Sequence, residues 1–169
     1  MSEIFKKLEK VKSFDKRVET LLANRAAVDE RDADRCMELL VEKAKHSQHY
    51  AEVVACVACL PISNKAEKMS HLAMKADEHP MQAGSAAWVL ARAGFPNEAS
   101  DYWEIMVDKF CKEHPSYGAQ MLAYGLIIPG KEDEAKKKID IHQRENPDND
   151  GDLYDAPMIE NNLFLSHLF

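Results

Sequence analysis

Two stretches, Gly94-Phe95-Pro96-Asn97-Glu98-Ala99 and Gly130-Lys131-Glu132-Asp133-Glu134-Ala135, carry one pattern: a breaker, a polar helix start, and an alanine five residues after the glycine. The two alanines are 36 residues apart. Working back, Asn64-Lys65-Ala66 places an alanine 33 residues before Ala99, and Arg31-Asp32-Ala33 places another 33 residues before that. Twelve and nine positions before each alanine stand Leu21 and Asn24, Val54 and Val57, Ala87 and Leu90, Ala123 and Leu126. All but Asn24 are apolar. Pro61, Gly94 with Pro96, and Pro129 with Gly130 each separate two helical blocks, while Pro80, Pro115 and Pro147 close a further set. Proline lacks a backbone donor and clashes with the preceding turn, so helices are expected to stop before it.

Inside the blocks the apolar residues recur at three and four, as in Met37, Leu40, Val41 and Ala44, or Trp103, Met106, Val107 and Phe110. That is the helical period, and alternation of β-branched residues is nearly absent. The reading is an all-α chain of helical hairpins repeated about every 34 residues. A hairpin of two short helices cannot bury both faces alone, so stacking on its neighbours supplies the missing burial. The expected organisation is a single domain over 1–169: an N-terminal helix in 1–12, repeat units over 13–147, an acidic loop over 148–155 and a C-terminal helix over 156–169. Ile4, Phe5, Leu8 and Val11 give the first of these an apolar face, and Met158, Ile159, Leu163, Phe164 and Leu168 give the last one its own. Capping of the array ends is the expected use, with docking of the last helix on a partner or a second copy as the alternative.

The spacing and the run from Gly130 to Ala135, with Pro147 twelve residues on, resemble the tetratricopeptide family. The resemblance covers roughly 13–147. The family's early aromatic is kept only as Tyr50 and is replaced by Arg17, Ala83 and Ala119. The resemblance implies a right-handed α-solenoid of about four helix-turn-helix units with a C-terminal capping helix. It also implies a concave face lined by the first helix of each unit. Mapped onto this chain, that face offers Val18, Leu22 and Arg25; then Gln48, Ala51, Ala55 and Ala58; then Met81, Gly84, Trp88 and Ala91; then Tyr117, Gln120, Tyr124 and Ile127. Small central residues would leave room for a peptide or helix, and Trp88, Tyr117 and Tyr124 would grip it. The family's clamp for a C-terminal carboxylate needs several basic and amide groups here, and only Arg25 and Arg92 are available.

Composition narrows the classes. The chain has 169 residues, 22 basic against 29 acidic, a net charge of −7, and 46% hydrophobic content. Such a chain buries a core without a staple. The acidic balance argues against nucleic-acid binding, which needs a basic face. No run approaches the ~20 apolar residues of a membrane span. The start, Met1-Ser2-Glu3-Ile4-Phe5-Lys6-Lys7, lacks the apolar core of a signal peptide, so a cytoplasmic location with reduced cysteines is expected.

Candidate chemical sites are weak. His46-Ser47-Gln48-His49 precedes Cys56-Val57-Ala58-Cys59, a zinc-type set on paper. The cysteines sit in an apolar helical run, two or three turns from the histidines, and read as small buried hydrophobes. Asn146-Pro147-Asp148-Asn149-Asp150-Gly151 begins like a calcium loop, but Pro157 stands where the bidentate glutamate belongs. Lys136-Lys137-Lys138 follows Glu132-Asp133-Glu134 and is expected to pair along one helix. His71, His79, His114, His142 and His167 fall mostly near helix ends, where they are expected to bond free carbonyls. No catalytic motif, metal site or cofactor site emerges. The expected function is a non-catalytic interaction module for a protein or peptide partner, as chaperone or adaptor. The alternative is a structural subunit of a complex or homodimer, using the outer face and the C-terminal helix.

Overall fold

A computed structural model describes residues 3–149 and Tyr154. The C-terminal helix expected over 156–169, and most of the acidic loop, lie outside the described residues. Among the described residues there are nine α-helices and no strands. They are α1 (Glu3–Lys10), α2 (Phe14–Ala23), α3 (Glu30–Val41), α4 (Ser47–Ala58), α5 (Lys65–Ala73), α6 (Pro80–Arg92), α7 (Pro96–Glu113), α8 (Pro115–Tyr124) and α9 (Glu132–Glu145). Short 3-10 turns at Arg25–Ala27 and Gly125–Ile127 link α2 to α3 and α8 to α9.

Consecutive helices pack in pairs, α2 with α3, α4 with α5, α6 with α7, and α8 with α9. The first helices form a continuous layer, α2 on α4, α4 on α6, α6 on α8. Each second helix also touches the next first helix, as α3 does α4, α5 does α6 and α7 does α8. The core runs through this layer as one cluster. Of the four repeat alanines Ala33, Ala99 and Ala135 are fully buried and Ala66 is half-buried; Leu21, Val54, Val57, Ala87, Leu90 and Ala123 are fully buried, and Asn24 and Leu126 half-buried. Helix α1 covers the first hairpin with Ile4, Phe5 and Leu8.

Helices stop before the prolines as expected, α6 at Arg92 and α7 at Glu113, and Pro80, Pro96 and Pro115 each also begin the following helix as its first residue. The first turn of a helix has no use for that N–H, and the ring presets the helical φ. The first hairpin turns without glycine or proline. Asn24 closes α2, its Nδ2 donating to the Thr20 carbonyl (2.7 Å), and Asp29 opens α3 by accepting from the Arg31 and Asp32 amides (both 3.1 Å).

Two glycine contacts fix the later hairpins. A Cβ at Gly84 of α6 would stand within the Tyr124 ring of α8, and one at Gly125 would stand within the Trp103 indole of α7. Trp103 is fully buried and donates its Nε1–H to the Met121 carbonyl (2.8 Å). The first hairpin uses a charge instead. Arg17 is buried; its Nε donates to the Val11 carbonyl (2.8 Å) and its Nη1 to that of Leu39, beside Glu42.

Candidate interaction groove

The face proposed from the first helices is largely spent on packing. Ala51 and Ala55 are fully buried, Trp88 and Tyr124 are 5% exposed, and Gly84 lies under the Tyr124 ring. The room expected above these small residues is taken by the neighbouring helix. Burial pushes the Tyr124 hydroxyl up to about 12. Exposed members of the set are Arg25, Gln48 and Met81; Val18, Leu22, Ala58, Ala91, Tyr117, Gln120 and Ile127 are half-buried. Arg25 turns back to the Leu22 carbonyl (3.0 Å) and Gln48 donates to Glu52 (3.2 Å). The Arg92 guanidinium lies 5.8 Å over the Trp88 ring, so it too is engaged. Tyr117 joins a ring cluster with His79, His114 and Phe110, at centroid distances of 5.0, 5.8 and 6.1 Å.

The open space lies in the second layer. Helix α5 packs on α7, but α3 and α5 stand apart and leave a groove of about 660 Å³. Met37 and Val41 of α3 and Leu72 of α5 form its apolar floor. Glu38 and Glu42 stand on the α3 wall, and Glu67, Lys68, His71 and Lys75 on the α5 wall, with Asn64 at its start. The Lys68–Asp34 ion pair (2.5 Å) bridges the two helices. Lys43 and Arg17 hold the Glu42 carboxyl below the usual range, so it is ionised at neutral pH. A smaller groove of about 200 Å³ repeats the arrangement between α7 and α9, lined by Val107, Cys111, Leu122 and Ile141.

The sequence carries a periodic signal for this layer. The sixth residue after each repeat alanine is Leu39, Leu72, Ile105 and Ile141, an aliphatic residue in every unit. Leu72 is buried and Leu39 half-buried, while Ile105 and Ile141 are each 50% exposed. The exposed pair leaves apolar groups on the solvent side of this layer, where they offer a contact surface.

The histidines also follow the repeat. His46, His79 and His114 directly precede α4, α6 and α8, at spacings of 33 and 35. All three stand at helix N-termini; His114 also closes α7, the carbonyl end expected for it, and His142, in the last turn of α9, contacts the Pro115 carbonyl (2.9 Å). The Nδ1 of His79 accepts from the Met81 amide (3.1 Å) and that of His114 from the Ser116 amide (3.2 Å). Burial lowers the pKa of His79, which favours the neutral ring such a cap requires.

The other candidate groups fall apart in space or into structure. His46 and His49 face each other (3.6 Å between centroids), and His49 stacks on Phe14 (4.0 Å), at the opposite end of α4 from Cys56. No cluster of three metal-binding side chains occurs among the described residues. Burial raises the thiol pKa of all four cysteines, that of Cys36 to about 11, so each is a protonated thiol at neutral pH. Lys138 pairs with Glu134 (3.5 Å) and Lys136 with Asp133 (3.9 Å), along one helix as expected. Asn146 and Asn149, from the calcium-like stretch, bond to His142. Among the described residues no helix is long and apolar enough to cross a membrane. No family model, curated protein or solved structure matches the chain.

Proposed function

We infer that this chain is a tetratricopeptide-like array acting as a non-catalytic interaction module, and that it holds a segment of a partner protein in the groove between α3 and α5. The observation that carries the reading is that groove: about 660 Å³ with an apolar floor and charged walls, against about 200 Å³ for the one between α7 and α9. Peptide grooves have this character, with apolar anchors below and polar rims that fix register. Burial of the thiols disfavours a cysteine nucleophile, because the thiolate is the reactive form.

The test is affinity capture from the native cell with mass spectrometry, comparing the chain with its Met37→Glu, Val41→Lys and Met81→Glu variants. Met81 lies in the first-helix layer and is 45% exposed. A partner retained by Met81→Glu and lost from the two groove variants supports the reading. A partner lost only with Met81→Glu returns the site to the first-helix face. A chaperone differs from a passive adaptor in that the captured protein loses solubility when produced without this chain.

A second reading, self-assembly through the outer face, draws on Ile105 and Ile141, each 50% exposed. Light scattering that finds a monomer at all concentrations removes it.

A further inference from the structure

The two walls of the α3–α5 groove differ in charge. The α3 wall carries Glu38 and Glu42, and the α5 wall carries Lys68 and Lys75 with His71 between them, opposed by Glu67 near the Asn64 end. Two of these charges are already engaged: Lys68 by Asp34 (2.5 Å), and Glu42 by Lys43 (2.8 Å) and Arg17 (3.4 Å). Glu38 makes no ion pair within 4.0 Å among the described residues, and Lys75 rests its ammonium 5.2 Å over the Tyr50 ring. An acidic α3 wall, Glu38 and Glu42, therefore faces an α5 wall of mixed charge, two lysines against Glu67, across an apolar floor.

A helix laid in such a groove has two orientations, and turning it end for end exchanges its flanks. Unlike walls make those orientations unequal, whereas like walls would not. We propose that the occupant is an amphipathic helix with oppositely charged flanks, basic toward α3 and acidic toward α5, and that this asymmetry sets the direction in which it runs. The proposal rests on the groove reading above and adds the chemistry of the partner. Rim charges contribute mainly to orientation and register, since exposed pairs are individually weak.

The experiment uses the full chain, ¹⁵N-labelled, and two designed helical peptides of about three turns each, long enough for one apolar stripe. Both share a leucine stripe. One carries lysines on its left flank and glutamates on its right, and the other has the flanks exchanged. Each bears a nitroxide at its N-terminus. The expected result is that one peptide broadens amides near Asn64 and the other those near Lys75. Control peptides with lysine on both flanks, or glutamate on both, bind about three- to tenfold more weakly. In the Glu38→Lys, Lys75→Glu double variant the two directions become less distinct or reverse. If both peptides run the same way, or the controls bind as tightly, the charge rule is overturned while the groove stands. If no peptide binds, the groove reading itself fails. A synthetic peptide of residues 156–169, whose only titratable side chains are Glu160 and His167, that outcompetes both designs gives the groove to this chain's own tail and also overturns the proposal.

Discussion

Gly84→Ala is the most direct probe of how the array is held together. In an isolated helix the change stabilises, because alanine exceeds glycine by about 1 kcal/mol in helix propensity. Here the new Cβ would lie among Cγ, Cδ2 and Cε2 of Tyr124, well inside the 3.0 Å below which neighbours must shift. Cγ is among the three atoms, so rotation about χ2 gives no relief and the ring must move as a body. Tyr124 is 5% exposed, so it has no solvent side to move into. Overpacking of this kind costs about 1–3 kcal/mol, and the case is severe. Taking about 3 and returning about 1 for propensity leaves about 2 kcal/mol of net destabilisation. For a chain of this size that is a fall of about 4–8 °C in Tm. The assay is thermal and urea unfolding by circular dichroism, run as a double-mutant cycle with Tyr124→Ala. In the Tyr124→Ala background the ring is absent, so Gly84→Ala should be neutral or stabilising by up to about 1 kcal/mol. An unchanged or raised Tm for the single variant, or the same penalty in both backgrounds, refutes the packing argument.

Three further outcomes are expected. His79 caps α6 through an unprotonated Nδ1, and burial holds its pKa below the ordinary 6.5. The unfolded chain then binds the proton first, so the cap's stability is complete above 6.5 and falls as pH drops through that value toward the folded pKa; His49 adds in the same sense. Urea midpoints measured from neutral to mildly acid pH should decline, and less so in His79→Asn, which keeps a capping acceptor without titrating. Arg17→Met leaves the Val11 and Leu39 carbonyls without their donor, at about 1–3 kcal/mol for each group that water cannot reach. Hydrogen exchange should quicken in α1 to α3 and not in α7 to α9; uniform quickening would contradict a local role. Finally, a thiol reagent at neutral pH should modify Cys59 and Cys111 slowly and leave Cys56, 1% exposed, unmodified until the chain unfolds.

The sequence by itself determined the hairpins. Glycine, proline and capping side chains act within a few residues, and apolar spacing at three and four records which face of each helix is buried. The repeat alanines are consequently legible without coordinates: Ala33, Ala99 and Ala135 are fully buried, while Ala66 is half-buried. The prolines were legible as boundaries but not as to side, since the same residue that stops one helix starts another at its first turn.

The candidate face was decided only by the tertiary structure. Small residues such as Ala51, Ala55 and Gly84 have the same local sequence character whether they leave a groove open or admit a neighbouring helix. Which of the two happens depends on the side chain opposite, Tyr124 in the case of Gly84, forty residues along the chain. The spacing between α3 and α5 is likewise a non-local result. Packing holds α5 on α7, while the Lys68–Asp34 ion pair spans the gap to α3. Helix identity is thus written in local backbone chemistry, whereas the open surface is what remains after distant side chains have taken their places.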